Sequence, residues 1–392
     1  MRLRGWLLDP TVTHLNHGAF GAVPAVVLAE QERWRRLYQQ DPTSFVVNRW
    51  EPAIDEARRQ LGKVVGASPE DMAFVSNTTS GVNAVLRSLP FSSGDQILTT
   101  DHVYNACRNV LNQVAATTGA QVVLAPVPFP IASTDQVVEA VMERVTPSTR
   151  FALLDHITSA TGLVLPVATL VPALEQQGVT VMVDGAHAPG MVPLEVARLG
   201  ASYYAGNCHK WLCAPPGAAF LWVRPGLGEG ILPPVISHGA NDPRRDRPRL
   251  HLLFDYTGTL DPSSYLTVPA AIDFLAGLHP QGLEGLMAAN RALALEARSL
   301  LCGVVGTAPP APPEMIGSLA AITLPGGTGE PPTGFVDPLT RILLEKWNIQ
   351  VPVFVWPAWP RRNLRISAAP YNDLDDYHLL AGALEVELAA AA

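Results

Sequence analysis

The run Val179-Thr180-Val181-Met182-Val183-Asp184 is the most apolar strand-like stretch of this chain, and it ends on a carboxylate. A run of that length, rich in β-branched residues, reads as a strand buried on both faces. Such strands occur where helices cover a parallel sheet. A carboxylate at the end of one is costly unless a cation or several donors meet it. Asp184 therefore constrains the fold and the chemistry together.

Other segments repeat the pattern. Met72–Val75, Gln96–Thr100, Gln121–Val127, Phe151–Ile157 and Ala218–Val223 read as strands. Helices are expected at 24–40, opened by Pro24, and at 51–65, stopped by Gly66. Further helices are expected near Val82, at 136–145 and at 167–177. Strands alternating with helices predict an α/β fold, with a mostly parallel sheet covered on both faces. Residues 225–265 are rich in Pro and Gly, with charges clustered at Asp242–Arg249, and read as a long surface or active-site loop. Helices are expected at about 268–279 and 284–304. At 392 residues the chain is too long for one ordinary core. The expected division is a large domain over 20–265 and a smaller α+β domain from 1–19 and 266–392.

Composition excludes several classes. A net charge of −8 offers no footprint for nucleic acid. No apolar run is long enough to span a bilayer. Met1–Trp6 has two arginines but no sustained apolar segment, which argues against a signal peptide. Cys107, Cys208, Cys213 and Cys302 lack a metal-ligand pattern, so no metal is expected. Reduced thiols in a cytoplasmic enzyme are the plain reading. The first βα turn has no Gly-x-Gly-x-x-Gly, and no Gly-Lys-Ser/Thr phosphate loop appears, which leaves little room for a nucleotide-binding protein.

Lys210 follows Asp184 by 26 residues, in an apolar stretch where only His209 is also polar or charged beside it. Desolvation there favours the free amine. A lysine amine that forms a Schiff base, with an Asp that keeps a pyridine nitrogen protonated, is what pyridoxal 5'-phosphate chemistry requires. The remaining parts occur in a workable order. Ser76-Asn77-Thr78-Thr79-Ser80-Gly81 follows a strand and opens a helix, which suits a phosphate, although an ordinary N-cap has the same residues. After Gln96–Thr100, either His102 or Tyr104 could stack on a cofactor ring, and strand alternation places both on one face. Ser159 would reach the crevice at the carboxyl ends of the strands. His187 could touch the cofactor phenolic oxygen or the substrate, or serve as a hydrogen-bonded structural histidine.

With these residues in place, the chain resembles the class V branch of the fold-type I pyridoxal phosphate enzymes, which includes cysteine desulfurases, kynureninases and isopenicillin N epimerases. Asn16-His17-Gly18-Ala19-Phe20-Gly21 is similar to the Asn-His-Gly-Ser-Phe-Gly element of the isopenicillin N epimerase-like group. Asp184 and His187 match the Asp-Gly-Ala-His/Gln motif, and Lys210 the Schiff-base lysine. The resemblance implies phosphate contacts from Asn77, Thr78, Thr79, Asn207 and His209. It favours Tyr104 over His102 as the stacking residue. It implies a homodimer in which Thr259, within Thr257–Pro262, reaches the neighbouring subunit's phosphate. Leu364-Arg365-Ile366-Ser367 resembles the substrate-carboxylate motif, with Arg365 as the guanidinium fork. Asn16 and His17 join it as substrate-side candidates, and Arg49 is a weaker one.

Residues 340–365 contain no Cys, where desulfurases carry their nucleophile. A persulfide-forming desulfurase is therefore not expected. Trp356 and Trp359 suggest an aromatic-lined pocket. The resemblance implies abstraction of a Cα proton by Lys210 from an amino acid bound to the cofactor. Epimerisation ranks first, with Tyr104 as a candidate second acid. C–S β-elimination ranks second, and transamination remains open. A non-enzymatic cofactor-binding protein is a further reading, against which the full Asp, Lys and Arg set argues.

Overall fold

The computed structural model describes residues 5–334 and 337–391. Met1–Arg4, part of the segment read for a leader, and Ala392 of the Ala-rich end lie outside the described residues.

Seven strands form the central sheet: β1 (Met72–Val75), β2 (Gln96–Thr100), β3 (Gln121–Ala125), β4 (Thr149–Asp155), β5 (Thr180–Asp184), β6 (Tyr203–Asn207) and β7 (Ala219–Val223). Their order is β1-β7-β6-β5-β4-β2-β3. All neighbours are parallel except β7, which runs antiparallel to both β1 and β6. The apolar runs are explained by burial on two sides. Val181 and Val183 of β5 face one core and Met182 the other, and Ala152 and Leu154 of β4 oppose Phe151 and Leu153 in the same way. Two helices precede the sheet, α1 (Ala25–Gln40) and α2 (Trp50–Val65), and four fill its crossovers: α3 (Thr78–Ser88), α4 (Asn105–Thr118), α5 (Thr134–Met142) and α6 (Val167–Gln176). The chain leaves β2 outward to β3, and leaves β4 the other way through β5 and β6. The crevice at the carboxyl ends of β2 and β4 is thus a topological switch point, where open α/β sheets take ligands.

A second sheet of three antiparallel strands contains β8 (Leu319–Thr323), β9 (Val353–Val355) and β10 (Arg362–Ser367), in the order β9-β10-β8. The long helix α7 (Gly282–Val305) packs against β8 and against α8 (Leu374–Ala391). The N-terminal segment joins this region: Thr13–His14 pairs in parallel with Ile349–Gln350, and Ser367 N–H donates to the Leu15 carbonyl at 2.9 Å. Residues 16–21 then run from the small sheet to the loop after β6.

Several boundaries differ from the sequence reading. The strand expected at 151–157 ends at Asp155, so Asp155 is terminal rather than internal. The helix expected near Val82 begins at Thr78, because Asn77 caps it by accepting the Ser80 N–H at 2.8 Å. The stretch 225–265 is not simply a loop. It contains a buried helix, Arg249–Phe254, and Asp242, Arg244, Arg247 and Asp255 are ion-paired. Arg58 of α2 is 1% exposed and bonds Asp55 and Asp255, while Arg247 bonds both of those carboxylates. Asp55, His251 and Asp255 lie close enough to suggest a cation site, but the two guanidiniums already hold both carboxylates.

Truncating one member of a buried charge network leaves the others uncompensated. Asp255→Ala should therefore lower stability by about 3 kcal/mol or more. Arg244→Ala, whose partners Glu51 and Asp242 are in solvent contact, should change it by less than about 1 kcal/mol. Urea midpoints of the two variants check the difference.

Candidate active site

A cavity of about 500 Å³ opens at that crevice. Its wall carries Asn77, Thr78, Thr79 and Ser80 from the start of α3, Tyr104 from the turn before α4, and Asp155, Ser159, Asp184, His187, Asn207, His209 and Lys210. Strand ends and the loops after them supply nearly every polar group.

At one end lies the first turn of α3. Thr78 donates to Asn207 Oδ1 from both its N–H (2.9 Å) and its hydroxyl (3.0 Å). Asn207 thus clamps the helix start to β6, with Thr79 and Ser80 also on the wall. A Cβ at Gly81 would lie 3.1 Å from Ala205 Cβ, so glycine lets α3 sit close on β6. Exposed first-turn donors and the helix dipole suit a phosphate. His209 donates from Nδ1 to the Ala218 carbonyl at 2.8 Å, which leaves its Nε2 as an unprotonated acceptor when the ring is neutral.

The floor is acidic. Asp184 is 4% exposed. It accepts the Ala186 N–H at 3.0 Å and the Cys107 thiol at 3.1 Å. Burial raises its carboxyl, against those two donors and Lys210. The same burial, with Asp184 beside it, keeps Cys107 a protonated thiol. Gly185 follows because a Cβ there would overlap the Tyr204 hydroxyl, at 2.1 Å.

Lys210 Nζ lies 3.2 Å from His187 Nε2. His187 Nδ1 takes the indole N–H of Trp211 at 3.4 Å, so the proton of the neutral ring sits on Nε2, facing the lysine. That N–H donates to Lys210 only when the lysine is a free amine. Burial and the cations of Lys210 and Arg365 hold His187 well below its ordinary value. Burial lowers Lys210 to about 8, with Asp184 opposing.

Arg365 of β10 is 2% exposed, and no carboxylate pairs with it among the described residues. It donates to the Ser159 carbonyl and, at 3.2 Å, to Asn16 Oδ1, and it lies over the Phe354 ring at 4.9 Å. Its Nε has no partner. Burial lowers it to about 10. Arg365 is not itself on the cavity wall: it is a buried guanidinium held by neutral groups behind the Ser159 turn.

Some expected residues lie elsewhere. His102 does not reach the cavity. The strand ends at Thr100, so alternation no longer governs residues 101–104. His102 is buried, donates from Nε2 to the Val127 carbonyl at 3.1 Å and accepts the Thr161 hydroxyl at 2.8 Å. It orders the turn that carries Ser159, and Tyr104 is the aromatic residue on the wall. His17 also stays off the wall. Its Nδ1 accepts the Ala22 N–H at 3.3 Å, so Nε2 carries the proton and donates to the Lys210 carbonyl at 3.1 Å. The Asn16–Gly21 motif therefore braces Lys210 and Arg365, while its Ala19 and Phe20 line the cavity. At Gly21, φ is 76° and a Cβ would lie 2.2 Å from the His209 carbonyl oxygen, which demands glycine. Thr259 is exposed in a separate groove beside Tyr38, Trp50 and Tyr256. Arg49 is exposed in a π-helical turn, Phe45–Arg49. Trp356 packs on His102 at 4.2 Å between ring centroids and does not line the cavity, nor does Trp359. Asp155 and Cys107 were not singled out from the sequence. Asp155 ends an apolar strand as Asp184 does, and that parallel was the available signal.

A model of the aminotransferase class-V family matches residues 18–298. The chain belongs to the class-V aminotransferase family. An isopenicillin N epimerase of Amycolatopsis lactamdurans is 36% identical over 392 residues, 96% of each chain. A putative L-cysteine desulfhydrase of Oryza sativa subsp. japonica is 32% identical over 88% of this chain and 73% of its own length. Among solved structures, the cystine C-S lyase C-DES in complex with cysteine persulfide superposes with a TM-score of 0.79 at 21% identity, over 96% of this chain and 98% of that one. This class-V chain is thus a fold-type I, pyridoxal 5'-phosphate-dependent enzyme. Its cavity fits that cofactor: a helix N-terminus for the phosphate, a buried carboxylate for the ring nitrogen, and a desolvated lysine for the aldehyde.

Two outcomes follow. The free-amine fraction of Lys210 rises about tenfold per pH unit below its pKa and levels above it. The rate of cofactor loading into apoprotein, followed by visible absorbance, should therefore climb with pH to about 8 and then flatten, well short of an ordinary lysine's 10.5. Lys210→Ala should abolish the lysine-linked absorbance. His17→Ala, which removes the brace on the Lys210 carbonyl together with the ring's bonds to Tyr371 and Ala22, should retain that absorbance but slow its formation by about tenfold or more.

Proposed function

We propose that this enzyme is an amino-acid epimerase of the isopenicillin N epimerase type. The observation that supports the reading is that Lys210 and Tyr104, two groups able to carry a proton, reach one cavity from different strands. Lys210 enters after β6 and Tyr104 after β2, with β5 and β4 between them. Bound pyridoxal phosphate supplies the electron sink that makes a Cα proton removable. Lys210, desolvated and donated to by His187, takes that proton on one side. The Tyr104 hydroxyl returns a proton from the other side, which inverts the centre. Arg365 provides the field that orients the substrate carboxylate, steadied by Asn16 and the Ser159 carbonyl. The near full-length similarity to an isopenicillin N epimerase supports the same choice.

A C–S β-elimination is the second reading, favoured by the similarity to a putative L-cysteine desulfhydrase. Elimination needs Lys210 and no acid on the far side. All four cysteines are buried and none lines the cavity, which speaks against a persulfide carrier. We also infer a homodimer, with the exposed Thr259 segment offered to a second copy's phosphate site. A dimer mass that persists on dilution supports this, and a fully loaded monomer overturns it.

Incubation with amino acids in D₂O tests the reaction. Deuterium at Cα with inverted configuration and retained nitrogen is the expected result, whereas ammonia and a keto acid identify a lyase. Tyr104→Phe should lower epimerisation by about 10²-fold or more while Cα exchange through Lys210 continues. Equal loss of both would remove Tyr104 from the scheme. Arg365→Lys should raise KM at least tenfold, because an ammonium lacks the planar fork.

A further inference from the structure

Asp155 has no part in the scheme above, yet it lies on the cavity floor. It ends β4 as Asp184 ends β5, and the two are register partners across the parallel ladder. Asp155 is 3% exposed, and its Oδ2 has no hydrogen-bond partner. The backbone N–H groups of Tyr104 and of Asp155 itself lie against its carboxyl. The groups facing the pair are few. Cys107 of α4 and the Ala186 N–H donate to Asp184, and among the described residues Lys210 is the cation that bears on both carboxyls. The neighbouring His156 turns to the Tyr204 hydroxyl at 2.9 Å and does not approach the floor.

Two ionised carboxylates side by side at this depth would repel each other in a low dielectric, with a single lysine to offset both. The donors decide which of the two keeps the charge. Asp184 has two directed donors, one on each oxygen, whereas Asp155 leaves an oxygen bare. Burial, and then Asp184 itself, push the Asp155 carboxyl well above the carboxylate range.

We propose that Asp155 is a neutral carboxylic acid, its Oδ2 sealed from water beside Asp184, and that Asp184 alone carries the negative charge of the floor. Asp155 is then a positioning residue. It holds the floor at one charge, matched to one protonated ring nitrogen. A second charge there would be buried without a partner. The inference rests on pyridoxal phosphate as the cofactor and is independent of the choice between epimerisation and elimination.

The test uses the loaded enzyme, with no substrate. Infrared difference spectra at neutral pH should show the C=O stretch of a protonated carboxylic acid, shifted in D₂O and lost in Asp155→Asn. With Asp155 neutral, Asp155→Asn removes no charge. Its cofactor dissociation constant should stay within about threefold of wild type, and the pH midpoint of the visible absorbance should move by less than about half a unit. No such infrared band, or a band that survives Asp155→Asn, overturns the proposal. So does a midpoint shift of a unit or more in Asp155→Asn, which would mean that a charge had been removed. A failure of the epimerase reading would leave all three readouts unchanged.

Discussion

Burial of charge at the carboxyl edge of the central sheet is the constraint on which the rest of the structure depends. Asp184, Lys210 and Arg365 are all withdrawn from water, and none is cancelled by an opposite charge at contact distance. Ions in a low-dielectric crevice are tolerated when fixed dipoles and hydrogen bonds replace water. The site meets that need with neutral groups: the Cys107 thiol and Ala186 N–H on Asp184, the Ser159 carbonyl and Asn16 on Arg365, and His187 on Lys210. Neutral partners hold these ions in place without discharging them. The anionic phosphate, cationic ring nitrogen and carboxylate of a ligand set would each meet a charge or dipole of the opposite sign.

Holding such groups requires a stiff surround, and the structure builds one from distant parts of the chain. The N-terminal segment leaves the small sheet, passes Arg365 through Asn16 and ends against the backbone of His209 and Lys210. His17 is the link: its ring joins the Tyr371 hydroxyl to the Lys210 carbonyl. The motif is thus also a brace between the region that carries the guanidinium and the one that carries the amine. His102 acts similarly on the turn of Ser159.

On the proposed reading, removal of a Cα proton is common to the candidate reactions, and the step that follows separates them. Lys210, Asp184 and the start of α3 serve every reaction of that kind. The fate of the carbanion depends on what stands on the far wall, and there Tyr104 is the polar group that an epimerase would use.

Much of this was legible in the sequence. Periodicity marked most central strands, because residues buried on both faces must be apolar at every position. Asp184, His187, Lys210 and the Ser76–Gly81 turn were visible because costly residue types stood at the ends of apolar runs. Other features depend on contacts between residues far apart in the chain. His102 and Tyr104 look equivalent in sequence, and a strand that stops at Thr100 turns one inward and the other into the cavity. Asp155 looked internal to a strand until the register with β5 set it beside Asp184. The charges at 242–249 read as a solvated loop, yet Arg247 closes a network with Asp55 of α2. The sequence by itself determined which segments must be buried and which residue types burial makes costly, since both follow from local pattern and solvation. Only the tertiary structure decided which of those costly groups meet, because hydrogen bonds and charge pairs act over a few ångströms and ignore distance along the chain.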